Sequence, residues 1–267
     1  MVFTVRIVRV VAYFKSTVLL LGDFSLFIYD ALRAVRRIWW RRGLFLRQCE
    51  FIGVTSTGII TVAAMFMGGV LGYQLYVSFH YFGAEALLGG SVGVALLREL
   101  APVMGAIMVT GRAGAAMAAE IASMRISEQI DALEVMAVNP IEYLVTPRVL
   151  AGVLMMPLLS VYFGVVASLA SAFIACGVLG LDPSVYWEQY ARVVDRIEVI
   201  HCLAKGAVFG FVISWVGCFC GFRASGGARA VGLATRTTVV ATCLTILLSD
   251  YVLTSLLPFG FAKLKVT

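Results

Sequence analysis

The sequence predicts an all-α integral membrane protein, with an amphipathic N-terminal helix lying in the membrane interface, about five transmembrane helices and one short cytoplasmic helix. Three observations predict it. The 267-residue chain is 61% hydrophobic and only 13% charged, whereas soluble domains carry about 25% charged residues; its mean hydropathy is +0.96. The apolar residues gather in stretches that reach the roughly 20 residues a helix needs to cross the hydrocarbon. The net charge of +6 is confined to one arm. A soluble fold of this size cannot hide so much apolar surface, so a soluble enzyme, a free nucleic-acid binder and a disordered scaffold are all poor readings.

Residues 1–50 hold nine Lys/Arg against three Asp/Glu, whereas residues 51–267 balance twelve against twelve. Much of the excess is the run Arg33, Arg36, Arg37, Arg41, Arg42 and Arg47. Such a cluster beside a span reads as cytoplasmic anchoring to anionic lipid; RNA binding is disfavoured because the arm is also strongly apolar. Arg9, Ser16, Asp23, Asp30 and Arg37 recur every seven residues. On a helix that makes one narrow polar stripe and a broad apolar face, the signature of a helix lying in the interface. A span through residues 16–29 is the competing reading. A cleavable signal is not, because Asp23 and Asp30 interrupt the apolar run and no A-x-A site follows. The chain thus divides into an interfacial arm (1–48) and a transmembrane domain (49–267).

The predicted spans are residues 51–79, 86–122, 146–180, 199–222 and 233–260. The basic arm places the amino end inside. Residues 123–146 are then cytoplasmic and 181–197 external, and Arg223, Arg229 and Arg236 fall inside. Lys263 and Lys265 fall outside, a mild violation of the charge rule. Gly68, Gly69 and Gly72 in the first span, and Gly105, Gly111 and Gly114 in the second, read as packing residues that let helix backbones approach closely in lipid. They predict that the second span is enclosed by other helices. Cys218 and Cys220, spaced C-x-C, match neither a zinc ribbon nor a redox motif. With His80 and His201 as the histidines, no metal site is expected.

A charge at the bilayer centre costs about 2.5–3.5 kcal/mol on insertion scales, so ionisable residues inside spans are the sharpest functional signal. The second span holds Arg98, Glu99, Arg112 and Glu120, and the fifth holds Asp250. The plainer reading of Arg112, Glu120 and Asp250 is structural pairing, Arg112 with Glu120 eight residues on or with Asp250. Arg98 and Glu99 read as functional. Neighbouring helix positions point about 100° apart, so one in-helix pair cannot satisfy both. Pro102 removes a backbone donor just after them, which predicts a helix break, tolerated at this depth only inside protein or beside water.

The second constellation is the segment 127–140. Ser127 is expected to cap a helix. Glu128, Asp131 and Glu134 share one face; Ile130, Leu133, Met136 and Ala137 share the other; Pro140 is expected to end it. An acidic helix suits a protein groove better than anionic lipid. The chain has no G-x-x-x-x-G-K-[ST], G-x-S-x-G or H-E-x-x-H sequence, so it does not read as an enzyme or as its own ATPase.

The runs Leu97-Arg98-Glu99-Leu100-Ala101-Pro102, Gly111-Arg112-Ala113-Gly114, Ala119-Glu120-Ile121, Glu128-Gln129-Ile130-Asp131-Ala132-Leu133 and Met136-Ala137-Val138-Asn139-Pro140 resemble the MlaE (YrbE) family of ABC-transporter permeases. The likeness continues through Pro147-Arg148, Lys205, Gly221-Phe222 and Thr235-Arg236-Thr237-Thr238 and covers about residues 50–260. The arm matches in character only. The resemblance implies a multi-pass subunit of the bacterial inner membrane that pairs with a second copy of itself. It also implies a cytoplasmic ABC ATPase dimer, a periplasmic ring of MCE-domain proteins and, in some systems, a small cytoplasmic accessory protein. The cargo implied is glycerophospholipid moving between inner and outer membranes, which maintains outer-membrane lipid asymmetry. No cofactor is expected in this chain, ATP belonging to the partner. The 127–140 segment would be the coupling helix, with Glu128, Gln129, Asp131, Leu133, Glu134 and Met136 facing the ATPase. Arg98, Glu99, Leu71, Tyr76 and Leu100 would line the lipid pocket. Two rival readings differ in class: a gradient-driven secondary transporter or channel using Arg98, Glu99 and Asp250, and a purely structural membrane anchor.

Overall fold

A computed structural model describes residues 42–256. Most of the predicted arm, residues 1–41, lies outside them, as do residues 257–260 of the fifth predicted span. The described residues form helices and connecting turns, with no strand among them. This is the expected solution in hydrocarbon, where each backbone N–H and C=O must be satisfied within its own segment. Five helices are long and apolar enough to cross a membrane: Arg42–His80, Glu85–Ile126, Ile141–Val178, Arg196–Phe222 and Ala228–Leu256. These are spans one to five.

Span one begins with α1 (Arg42–Ile52), bends through a 3-10 turn at Val54–Ser56 and continues as α2 (Thr57–His80). Helix α1 is amphipathic. Its Phe45, Cys49, Phe51 and Ile52 pack on the core, while Arg42, Leu46, Arg47 and Glu50 are exposed. Span two runs through α3 (Leu88–Ala95), α4 (Ala101–Val109) and α5 (Ala115–Ile126). Two π turns, Leu96–Leu100 and Thr110–Gly114, join these segments. The break expected before Pro102 is therefore absent. The Pro102 ring would clash with the Arg98 carbonyl in a regular α-helix. Widening the preceding turn, so that the Ala101 N–H donates to Leu96 O, relieves the clash while the helix continues. Such single-turn π bulges concentrate at functional sites, and span two's Arg98, Glu99 and Arg112 all sit in them.

After α5 comes α6 (Gln129–Val135), shorter than the predicted helix. Ser127 does not cap it. Its hydroxyl donates back to Ser123 O at 2.8 Å, closing α5. Helix α6 ends in a left-handed residue, Ala137 (φ 58°), with Val138 N donating to Leu133 O and Ala137 N to Glu134 O, a Schellman closure. Pro140 starts the next helix rather than ending this one: Asn139 Oδ1 accepts from Ile141 N (2.9 Å) and Glu142 N (3.4 Å), and Pro suits the first helical position. A π turn (Ile141–Val145) leads into α7 (Thr146–Ala172), so span three begins before the predicted residue 146. Only Ile130 of the predicted apolar face of α6 is fully buried, with Leu133 half-buried beside it; Val135 and Met136 are exposed.

The segment between spans three and four, expected only as an external connection, contains a helix, α8 (Pro183–Val193). Its start signal was present in Asp182-Pro183. The Asp182 carboxylate accepts from Ser184 N (2.8 Å) and Ser184 Oγ (2.7 Å), bonds that hold it below the usual carboxylate range. Helix α8 packs on α3, and burial pushes the phenol of its inward Tyr186 up to about 12. Span four is α9 (Arg196–Phe222) and span five is α10 (Ala228–Leu256).

Helix α7 packs along α2 and α9, and α9 also packs on α5 and α10. Spans two and four are central, each with 56% of its most apolar window buried, against 11% for span five. Span two is thus enclosed, and of the three glycines expected to do it only Gly114 presses on a neighbour, a Cβ there lying 3.2 Å from Ile213 Cγ2. A Cβ on Gly111 would meet nothing within 4 Å, and one on Gly105 only Met156 at 3.6 Å. The closest backbone approaches are at other glycines: a Cβ on Gly89 of span two would lie 2.0 Å from Tyr186 O, one on Gly68 would lie 2.0 Å from Ala167 O, and one on Gly210 would lie 2.1 Å from Gly152 O.

Candidate functional site

Span two acts as a hub, because five of its charged side chains each bind different neighbours. Arg98 pairs with Glu198 of α9, Nε to Oε2 at 3.0 Å and Nη2 to Oε1 at 3.1 Å. Glu99 accepts from Lys205 Nζ of α9 at 2.6 Å. Arg112 donates to Phe51 O and Ser56 Oγ. Glu120 pairs with Arg148 of α7 at 2.8 Å, and Arg125 pairs with Asp131 of α6. The expected pairing of Arg112 with Glu120 or Asp250 is therefore corrected. Each of those side chains is taken by a neighbour that helical spacing within span two could not reveal.

The densest constellation surrounds Lys205. Its ammonium, 1% exposed, lies 2.6 Å from Glu99 and 2.8 Å from Asp250 Oδ1, and donates to Thr254 Oγ1 at 2.8 Å. The Thr254 hydroxyl in turn lies 3.3 Å from Glu99 Oε1. One cation is thus clamped between two carboxylates from different spans. The Arg98–Glu198 pair adjoins it through the chain, and the ring of His201, almost fully buried, lies one helical turn before Lys205. With all five ionised, Arg98 and Lys205 face Glu99, Glu198 and Asp250, leaving one negative charge in excess. Lys205 sits about 14 Å along α9 from Arg196, at 1.5 Å per residue, which places the cluster at bilayer depth. Isolated charges there would be strongly disfavoured; pairing makes them tolerable. Glu99 is the open member, with 37% of its side chain exposed against 20% for Asp250.

The other predicted lipid-pocket residues do not join this cluster through a polar contact. Tyr76 donates to Leu179 O at 3.2 Å and stacks on His80, which ties it to the far end of span three. Leu71 and Leu100 are half-buried against the core. An apolar groove of about 750 Å³ between α2 and α7, lined by Val62, Phe66, Val70, Leu169 and Phe173 among others, has none of the charged cluster in its walls. Lys205 and Glu198 join the site beyond the residues expected from the sequence. The signal was there: Lys205 is the single Lys or Arg in the apolar run 197–222, and such a residue is a functional candidate by default.

On α6, Glu128, Gln129, Asp131, Glu134 and Met136 are exposed and Leu133 is half-buried. The exposed acidic residues flank Val135 and Met136, 88% and 71% exposed, so α6 presents an acidic rim around an apolar tip. Among the described residues no group of three or more His, Cys, Asp or Glu could hold a metal ion.

The sequence model of the family described as Permease MlaE matches residues 45–256. The chain belongs to the MlaE permease family. It is 33% identical to the intermembrane phospholipid transport system permease protein MlaE of Haemophilus influenzae, over 94% of this chain and 95% of that one. It is 38% identical to a probable ABC transporter permease protein of Rickettsia conorii, over 88% and 91% of the two chains. The chloroplast protein TRIGALACTOSYLDIACYLGLYCEROL 1 of Arabidopsis thaliana is 35% identical, over 82% of this chain and 62% of that one. The MlaE match takes in the whole of spans two, three and four, and with them the Lys205 clamp and α6. As an MlaE-family chain with five apolar helices, the protein is a multi-pass permease subunit of an ABC transporter.

Proposed function

We propose that this permease moves glycerophospholipids between the inner and outer membranes of a bacterium, maintaining outer-membrane lipid asymmetry, with ATP hydrolysed by a partner. Two copies in the inner membrane enclose the lipid, an ABC ATPase dimer docks below, and a ring of MCE-domain proteins receives or delivers the lipid in the periplasm. A small cytoplasmic accessory protein completes some assemblies. The observation that carries the reading is the half-exposed Glu99 carboxylate, held on a buried ammonium at bilayer depth. A phospholipid needs an apolar slot for its tails and an oriented polar group for its head, and Glu99 with Arg98 supplies the second. Support also comes from the H. influenzae relative, whose name specifies phospholipid transport.

Span two links this site to α6 through Arg125 and Asp131, so a displacement of α6 by the ATPase is carried to Arg98 and Glu99. The test is reconstitution of the co-purified complex in donor liposomes with an acceptor of labelled lipid. Arg98→Ala and Glu99→Ala are expected to lower transfer at least fivefold while the complex still assembles; wild-type transfer in both removes the assignment. Val135→Asp combined with Met136→Asp, on the exposed tip of α6, is expected to leave the permease folded and the ATPase unbound. Transport by the purified chain alone, driven by a proton or ion gradient, would replace this reading with a secondary transporter.

A further inference from the structure

Arg112 has no part in the charge cluster, yet it is a cation placed within a span, and its partners explain why. Its Nη1 donates to the Phe51 carbonyl at 2.9 Å and to Ser56 Oγ at 2.5 Å, and its guanidinium carbon lies 5.1 Å from the centre of the Phe51 ring. Phe51 is in the last turn of α1. The final carbonyls of a helix lack intrahelical donors and carry the negative end of its dipole, where a cation is favoured. Here Cys49 O is taken by Gly53 N (2.8 Å), Phe51 O by Arg112 and Thr55 Oγ1, and Ile52 O by Ser56 Oγ (2.7 Å). Arg112 thus completes the C-terminal cap of a helix some 60 residues away in sequence. The chain between α1 and α2 is Gly53 and a 3-10 turn, so the regular α-helical hydrogen-bond ladder is interrupted there.

We propose that Arg112 is a positioning residue that fastens the amphipathic helix α1 to span two, so that α1 moves with the span carrying Arg98 and Glu99. Its π turn lies between the Leu96–Leu100 turn above and the Arg125–Asp131 link to α6 below. Motion entering from α6 therefore passes Arg112 before it reaches the charge cluster. The fastening itself stands on geometry alone; its consequence for transfer rests on the transport reading given above.

The test uses the full complex in lipid nanodiscs and compares Arg112→Met, Arg112→Lys and Ser56→Ala with the wild type, by amide hydrogen exchange and by lipid transfer. In Arg112→Met, the amides of residues 53–57 are expected to exchange at least tenfold faster while those of α9 are unchanged, and transfer falls at least threefold. Ser56→Ala is expected to loosen the same amides. Arg112→Lys, which retains a cationic donor for Phe51 O, is expected to restore most of both signals. Unchanged exchange at residues 53–57 overturns the proposal, as does faster exchange spread over all five spans, which marks Arg112 as a general stabiliser. A Lys variant as defective as Met overturns the cationic cap, and normal transfer with a loosened α1 overturns the link to transport. If the wild-type complex itself transfers no lipid, the transport reading fails, and the exchange arm still decides whether Arg112 fastens α1.

Discussion

Lys205→Met is expected to abolish lipid transfer and to destabilise the protein by about 3 kcal/mol. Removing the ammonium leaves Glu99 and Asp250, both within 3 Å of the present Lys205 Nζ, facing each other without a counter-charge. Breaking one partner out of a buried ion pair typically costs about 3–5 kcal/mol. The low end applies here because Glu99 is only partly buried and keeps the Thr254 hydroxyl as a donor. Thermal melting of the detergent-solubilised complex checks the stability change, and reconstituted transfer checks the activity. Lys205→Met combined with Asp250→Asn is expected to regain most of the stability and none of the transfer, because it removes the repulsion without restoring the clamp on Glu99. Full transfer in the single variant, or recovery of transfer in the double, would separate the cluster from transport.

Gly210→Val is expected to give almost no folded protein. Spans three and four cross where Gly152 and Gly210 face each other. A Cβ at 210 would sit 2.1 Å from Gly152 O and 2.7 Å from Met156 Cβ, and one at 152 would sit 2.6 Å from Gly210 O. Overpacking a core with extra methyl groups costs about 1–3 kcal/mol when side chains can yield; backbone atoms of two packed helices cannot. Gly111→Ala, where a Cβ meets nothing within 4 Å, is the matched control and is expected to be neutral or slightly stabilising, since Ala is the better helix former by about 1 kcal/mol. Size-exclusion profiles of the extracted protein distinguish the two. A monodisperse Gly210→Val protein at wild-type yield would show that the crossing can open.

The two glycine classes show where reading the chain stops. Clustering identified Gly68 and Gly72 as contact residues, and each does press on span three. The same clustering points to Gly105, Gly111 and Gly114, of which only Gly114 presses on a neighbour, Ile213, and it does not mark Gly152 or Gly210. Composition marks a helix as closely packed but does not say at which residue two helices cross, since the crossing depends on the angle and register of both. The charges behaved alike. Arg98 and Glu99 stand out because an apolar run makes them conspicuous; Lys205 is equally conspicuous, but nothing in its own segment names its partners. Helix α8 is hard to read from the sequence although Asp182-Pro183 announces it, because an amphipathic segment of ordinary polarity between spans resembles a loop.

The amino-acid sequence by itself determined the class of molecule: the chain must be helical and in a bilayer, because no water-facing fold can cover so much apolar surface. It also determined where the five spans lie and which residues of span two carry charge at depth. Only the tertiary structure decided what each charge meets: Lys205 between Glu99 and Asp250, Glu198 on Arg98, Arg148 on Glu120, and the end of α1 on Arg112. The physical reason is that hydrophobicity acts along one segment at a time and is summed locally. A buried ion pair such as Arg98–Glu198 or Glu99–Lys205 joins residues on different helices about 100 positions apart, and it exists only once those helices have docked.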